Sequence, residues 1–525
     1  MGLLKRNKNK KIKSGITQDI PQYQTIVVSP IPQDPLDIAV AQVISSLATY
    51  GLHYEVDRAR QLLKGRFAHA NPTRAVVLAL ALRDAEDLIV VEPSSSFLLG
   101  AENLRGTTCY LDALLFSMFS RSFPIFDALL YHARPDARAN KLVVNLRVFV
   151  NLLRCGYLVT HDLVDMLRNS IASCGWQDAS RNSQQDTSEC FGFIAEILQM
   201  PTLTFKVHIA HSGKADAHAD NKIVKERFLA LPIPKPSGQY SELQPIELVD
   251  LIDAYFHTKL EVRRPIARSR STMSSMYPTT GRASNGNSDR ASILPVARSS
   301  EKKRGSDGQV AMEAWQLFEL VPYYSAQDSS EQEKDFARQP PVVAINLKRY
   351  FFDTYGTAQI NKTPVIIPEY IDFTPFTDSD NTMKRAGDRI RLRLDSAVCH
   401  RGQHVGSGHY VSISRGDGPG QWLLFDDLSA QRVTQSSFGH LFSVEVPYLL
   451  FYQLETIHPR RSHQRLPSFP SFNQQPGHDH VRPPYPVGSD DGYVQQPYPS
   501  DLQDRYFTNP GIPPPIPENS RPNRH

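Results

Sequence analysis

Apolar residues recur at helical spacing in three stretches between residues 36 and 92: LDIAVAQVISSLATYGL, VDRARQLLKGRF and NPTRAVVLALALRDAEDL. Gly51 separates the first two and an Asn71-Pro72 helix start opens the third, so the pattern predicts a small three-helix unit. From about residue 100 to 200 the helical period continues through CYLDALLFSMFSRSF, FDALLYHA, KLVVNLRVFVNLLRCG, HDLVDMLRNSIASC and DTSECFGFIAEILQM. From about residue 340 it gives way to strand signatures: PVVAINLKRYFF, the strictly alternating RIRLRL, HYVSIS, WLLF and PYLLFYQL. Helices first and an antiparallel sheet afterwards predict an α+β domain with its active site between the halves.

Composition limits how much of the chain joins that domain. The chain has 525 residues and 39 prolines. Segments 1–35, 264–310 and 457–525 are rich in Ser, Pro, Arg, Gly or Asn and too poor in apolar residues to offset chain entropy, so they are expected to be disordered. The middle one reads as an insertion within the domain. Five cysteines without a CxxC pair make neither a disulfide framework nor a zinc ribbon.

A net charge of +4 gives no strong nucleic-acid footprint, and the basic tail and Ser/Arg insertion lack the interleaved aromatic residues of an RNA reader. No run reaches the roughly 18 apolar residues of a membrane span, and MGLLKRNKNKKIKSG lacks the apolar stretch of a secretory signal. An intracellular protein, in cytoplasm or nucleus, is expected; KRNKNKKIK is compatible with import. Gly2 is set aside as an acylation site because Arg6 stands where that motif wants Ser or Thr. In the C-terminal tail, PPPIP has the form of a polyproline II ligand for a partner.

The chemistry centres on TTCYLDALLF. A cysteine in the first turn of a helix sees the positive end of the macrodipole, which makes Cys109 a nucleophile candidate; the alternative is a buried core thiol. A nucleophile needs a base. His409, in HRGQHVGSGHYVSISR, opens an alternating strand after three glycines and is the histidine in a context that suits one. WLLFDDLS then brings Asp426 and Asp427 to the end of the next strand, where a hairpin sets a carboxylate beside His409 to fix its tautomer.

The ordered set TTCYLDALLF, QQDTSECFGFI, INLKRYFFD, GSGHYVSIS, WLLFDD and PYLLFYQ resembles the ubiquitin-specific protease family of cysteine deubiquitinases over about residues 100–456. The Cys-Tyr-Leu-Asp string is similar to that of the cylindromatosis branch. The resemblance implies a papain-like α+β fold with a helical thumb, an antiparallel-sheet palm and fingers, needing no cofactor. It implies ubiquitin and ubiquitinated proteins as partners. It makes Cys109 the nucleophile, His409 the base and Asp426 the residue that orients it, with Asp427, Thr108, Gln184 and Gln185 supporting the site. Asp186 and Glu189 would receive the basic tail of ubiquitin, and Gly408 and Tyr410 would flank the channel for its terminal glycines.

Two departures from the family pattern stand out. The asparagine five residues before the nucleophile is Leu104 here, with Asn103 one place off. Either Asn103 shifts into place through the loop, or backbone N–H groups near Thr108 and Cys109 serve the oxyanion alone. In the fingers, about 200–340, the family's two zinc-binding CxxC pairs are missing. HSGKADAHAD supplies only His211 and His218, a poor zinc site, so zinc-free fingers are expected. Cys155, Cys174, Cys190 and Cys399 are expected to pack in helices or strands, with Cys399 and His400 no dyad. The helical region 36–92 resembles a ubiquitin-associated domain in its order of helices and YGL turn; the alternative is a helical support for the next domain. A weakly active or inactive ubiquitin-binding scaffold of the same fold is the rival reading of the whole.

Overall fold

The structure, a computed structural model, describes residues 34–93, 97–212, 216–234, 244–265, 309–321, 336, 338–352, 358–378, 387–404 and 407–458. The basic tail, most of the Ser/Arg insertion and the PPPIP segment lie outside the described residues.

Helices α1 (Pro35–Thr49), α2 (Val56–Lys64) and α3 (Pro72–Glu86) form the N-terminal unit. The Asn71-Pro72 start acts as the sequence suggests, Asn71 capping α3 by accepting the Arg74 N–H, and Asp34, before Pro35, caps α1 in the same way by accepting the Leu36 N–H. Val40, Val43, Leu47, Ala59, Leu63, Ala75 and Ala79 close its interior. The opposite face of α3, with Val77, Leu78, Leu80 and Ala81, belongs instead to the core of the next domain, and Tyr50 and Leu52 of the YGL turn pack against that same core.

The helical thumb comprises α4 (Cys109–Phe119), α5 (Pro124–Ala128), α6 (Ala137–Arg154), α7 (His161–Ser173) and α8 (Thr187–Ile197). Every residue of α4 is buried. FDALLYHA forms only the end of the short α5, because carbonyls that would carry a helix onward are taken by buried arginines: Leu129 by Arg134 and Leu130 by Arg147. On α6, Arg147 also holds the carbonyls of Ala85 and His132, while Arg154 holds those of Phe119, Val91 and Arg121 and pairs with buried Asp127 at 2.6 Å. Cys155 and Cys174 stand at the C-caps of α6 and α7, Cys190 within α8.

The second half is built from strands. A four-stranded fingers sheet, in the order β2-β1-β6-β5, joins β1 (Leu203–His211), β2 (Asn221–Glu226), β5 (His257–Pro265) and β6 (Gln309–Val321), with α9 (Ala217–Asp220) between β1 and β2. β3 (Leu229–Pro232), though within the range 200–340 expected to form the fingers, pairs in parallel with β7 (Val342–Lys348) of the palm. Its side chains Leu229 and Leu231 are fully buried on the face toward the second core. Short pairs join β4 (Ile246–Glu247) to β10 (Val365–Ile366) and β8 (Tyr350–Phe352) to β9 (Ala358–Ile360), and α10 (Leu248–Phe256) packs over the fingers base.

The palm sheet runs β15-β14-β13-β12-β16-β7-β3, with β11 (Tyr370–Asp372) beside β12 (Arg389–His404). Its remaining members are β13 (Ser407–Arg415), β14 (Gln421–Phe425), β15 (Val433–Ser437) and β16 (Pro447–Ile457), with α11 (Phe438–Val444) before β16. Period two divides its faces: Val398, Tyr410, Leu449 and Phe451 join the helical core, while Ala397, Cys399, Val411, Ile413 and Leu450 join the second core. The α4 helix lies on β12 and β13 through small hydroxyls; Ser117 meets Ser412 at 2.7 Å and Ser396 donates to the Ser117 carbonyl at 2.8 Å. Among the described residues no helix is long and apolar enough to cross a membrane.

Candidate active site

The close seat of α4 on β13 determines where Cys109 ends up. Cys109 is the first residue of α4, its side chain is buried, and its sulfur receives the backbone N–H of Tyr410, the residue after His409. Burial, reinforced by the negative charge of Asp427, pushes the thiol up to about 12, so in the resting site it is a neutral thiol. The helix N-terminus does not outweigh desolvation, and a base must remove the proton.

His409 stands at the start of β13 with Nε2 2.7 Å from Asp426 Oδ1 and 3.6 Å from Asp427 Oδ1. The antiparallel β13–β14 hairpin produces this pairing, since Phe425 lies opposite Ser412 and the next two residues turn back toward His409. Burial alone would raise the Asp426 carboxyl, but hydrogen bonds from His409 and Arg401 outweigh it and hold the group below the usual carboxylate range. Arg401 bridges Asp426, at 2.6 Å, to the buried carboxylate of Glu445, at 2.8 Å from its Nε. His409, Asp426 and Asp427 offer ligand atoms within 4.8 Å of one another, yet Asp426 already carries the Arg401 guanidinium, which disfavours a metal cation there.

The loop ahead of Cys109 accounts for the displaced asparagine. Arg105 and Gly106 both adopt left-handed backbone, with φ of 56° and 73°, and the Thr107 N–H returns to the Leu104 carbonyl. This turn takes up one additional residue. Asn103 consequently reaches the site, with Nδ2 donating to Asp427 Oδ2 at 3.0 Å and Oδ1 3.3 Å from the Thr108 N–H, while the Leu104 side chain is buried. The Thr108 hydroxyl accepts the Leu104 N–H at 2.8 Å and donates to Asp112 Oδ2 at 2.7 Å.

Other sequence-selected residues divide by surroundings. Asp186 caps α8 by accepting the N–H groups of Ser188 and Glu189, and its second oxygen accepts the Tyr448 hydroxyl at 2.5 Å. Glu189 is exposed on the first turn of α8. Gln185 donates to the Ser183 carbonyl and hydroxyl, and Gln184 before it is half-buried. A Cβ at Gly408 would stand 2.4 Å from His400 Nε2 and 2.6 Å from the Arg401 carbonyl oxygen, so the strand pair closes there only with glycine. The Tyr410 ring is buried, packing on His400 and Tyr448; its backbone N–H is the part that faces the thiol. Cys399 is buried on the other face of β12 from His400.

Three participants escaped sequence reasoning: Asp112, Arg401 and Glu445. Asp112 stood in plain view within TTCYLDALLF, one helical turn after Cys109, where a buried acid among apolar neighbours is itself a signal. In the fingers, His211 pairs with buried Asp220 at 3.0 Å, whereas His218 is exposed.

An α+β fold with a cysteine at a helix start and a histidine–aspartate pair on the facing sheet has the layout of a papain-like hydrolase. The family model for ubiquitin carboxyl-terminal hydrolase matches residues 99–452, well over half of the chain, and the protein belongs to that family, in its ubiquitin-specific protease form. Among curated relatives, ubiquitin carboxyl-terminal hydrolase 15 of Saccharomyces cerevisiae is 30% identical over 132 residues, covering 22% of this chain and 11% of the relative. Probable ubiquitin carboxyl-terminal hydrolase 3 of Schizosaccharomyces pombe is 30% identical over 128 residues, covering 22% of this chain and 24% of the relative. The chain thus aligns with less than a quarter of the length of either. A solved SAGA Ubp8/Sgf11/Sus1/Sgf73 DUB module bound to ubiquitin aldehyde is 17% identical, with 75% of this chain and 77% of that one covered at a TM-score of 0.46.

Proposed function

We propose that the protein is a cysteine-dependent deubiquitinase that hydrolyses the isopeptide or peptide bond at the C-terminal glycine of ubiquitin. The observation that carries this reading is the 2.7 Å His409–Asp426 contact on the strand whose next N–H, that of Tyr410, meets the Cys109 sulfur. In this mechanism Asp426 orients the imidazole and stabilises its protonated form. His409 takes the proton of the neutral thiol as sulfur attacks the carbonyl, then donates it to the leaving amine. The acyl-enzyme is released by water with His409 again as base.

Asn103, one amide N–H on Asp427 and the other free for substrate, serves with the Cys109 backbone N–H as oxyanion donor. Exposed Glu189 is the better-placed acid for the basic tail of ubiquitin, because Asp186 is occupied as a helix cap. Thr108 and Asp427 support this arrangement, and Gly408 keeps the channel wall thin. Residues 100–456 form the catalytic domain in this reading, and the packing of α3 and the YGL turn against its core favours a supporting role for residues 36–92. Ubiquitin and ubiquitinated proteins are the partners; the intracellular compartment is cytoplasm or nucleus.

The test is reaction of the purified protein and of Cys109→Ala with full-length ubiquitin carrying a thiol-reactive C-terminal warhead, read as intact mass. One ubiquitin adduct on the wild type and none on the variant is the expected result. Binding without any adduct would transfer the protein to the scaffold reading.

A further inference from the structure

Beneath the reacting residues lies a buried carboxyl pair of which the mechanism has used only one member, Asp427. Asp112, on the first turn of α4, is fully buried, and Asp427, at the end of β14, nearly so. Asp112 Oδ2 accepts the Thr108 hydroxyl at 2.7 Å and Asp427 Oδ2 accepts the Asn103 amide at 3.0 Å. The remaining oxygen of each, Oδ1, is buried without a hydrogen-bond donor, the imidazole Nε2 of His409 standing 3.6 Å from that of Asp427, and the two carboxyl groups are close enough to act on each other. Two ionised carboxylates there would repel and leave both oxygens unsatisfied. A single shared proton satisfies both oxygens and removes a like-charge repulsion inside the protein.

The neighbours decide which residue carries it. Asp427 lies beside His409 and accepts an amide N–H, both of which favour its charged form, whereas Asp112 has no cation against it. Burial, with the charge of Asp427 adding to it, raises the Asp112 carboxyl well above the usual range. The donors then run in one direction. The Leu104 N–H gives to the Thr108 hydroxyl and that hydroxyl gives to Asp112; the Asp112 O–H gives to Asp427, which also receives the Asn103 amide. The chain of bonds begins and ends on the loop that carries Asn103.

We infer that Asp112, as a neutral acid, is a positioning residue: its O–H anchors Asp427, and through it the Asn103 amide that faces the oxyanion. The proton stays on Asp112 through turnover, so no proton transfer is asked of it. The inference rests on the deubiquitinase reading for its effect on rate, but not for the placement of the proton.

The comparison that tests it is Asp112→Asn against Asp112→Leu. Asparagine keeps both contacts, with Oδ1 for Thr108 and Nδ2 for Asp427; leucine has a similar size and neither. With a fluorogenic ubiquitin C-terminal amide, Asp112→Leu is expected to lower kcat about 10- to 100-fold with KM little changed, a fraction of the 10²–10³ an oxyanion donor supplies, and Asp112→Asn to recover to within about threefold of wild type. Because the leucine variant could fail to fold, the infrared difference spectrum of wild type minus Asp112→Asn at neutral pH is the second measurement. A protonated-carboxyl C=O band is expected in it. An asparagine variant as impaired as the leucine one, a folded leucine variant of wild-type kcat, or no such band would each overturn the inference. Lack of activity in the wild type itself would instead count against the deubiquitinase reading, and the infrared band would still decide where the proton lies.

Discussion

The fingers sheet and, apart from its parallel β3–β7 edge pair, the palm sheet are both antiparallel, yet they hold their polar groups in opposite ways. At the cleft end of the palm, Asp426, Asp427, Glu445 and Arg401 are wholly or partly withdrawn from water and bonded to residues distant in sequence. In the fingers the polar contacts are mostly exposed, such as His208 with Asn221 across β1 and β2, and Lys259 over the half-exposed Trp315 ring. The fingers also leave Ile223 largely in solvent. Buried polar networks are costly to break and so define geometry, whereas exposed pairs contribute little and leave a surface free to vary. The comparison teaches that in this chain the cleft is the part whose shape is specified, and the fingers a frame whose surface is open to change.

The largest effect that would sharpen this contrast is on rate. His409→Ala is expected to lower kcat with a ubiquitin substrate by about 10²–10⁴, the usual contribution of a positioned acid–base group, while leaving the melting temperature close to wild type. Next is stability in the thumb that supports the cleft: Arg154→Ala leaves the Asp127 carboxylate buried without its cation, and denaturant unfolding should show a loss of about 3–5 kcal/mol. In the fingers, His211→Ala removes one partner of buried Asp220, whose Oδ2 also accepts the Asp216 N–H; a loss of about 1–3 kcal/mol with unchanged kcat is expected. A fall in kcat from that change would break the division between specified cleft and passive frame.

Smaller still is the pH effect of Asp426. Its carboxyl is lower in the folded protein than in the unfolded chain, so it stabilises the fold above the unfolded value of about 4 and that contribution is lost as pH falls through the folded value. Urea midpoints measured from pH 6 down to 3 should therefore drop less steeply in Asp426→Asn than in wild type. The smallest effect belongs to an exposed pair: Arg389→Ala, which loses its contact with Asp372, should cost less than about 1 kcal/mol.

Much of this architecture is legible in residue order. RIRLRL reads as a strand with one buried face, and Ile390, Leu392 and Leu394 do face the second core while Arg391 and Arg393 meet Glu455 and Asp395 outside it. The register irregularity between Leu394 and Ser396 is not legible, because a bulge leaves no mark on periodicity. The placement of Cys109, His409 and Asp426 follows from short motifs joined by a hairpin. The one-residue displacement of Asn103 does not, since a left-handed Arg105 carries no compositional signal. Arg147 and Arg154 are misjudged by any pattern that sends charge to solvent; they are buried because carbonyls from several chain segments converge on them. The same limit hid Arg401, whose partners Asp426 and Glu445 come together only in the folded sheet.

The pairing of Pro265 with Gln309 has a practical side. The insertion leaves and re-enters the molecule at two strand ends that face each other in the β5–β6 register, so from the sheet's standpoint its length is nearly invisible. Loop-closure entropy charges only about 0.6 kcal/mol for each doubling, and shortening would return the same small amounts. This hairpin end is therefore a natural port: a tag, a fluorophore or a whole foreign domain spliced there would meet the fold at a single point, with the register of β5 and β6 already set beneath it.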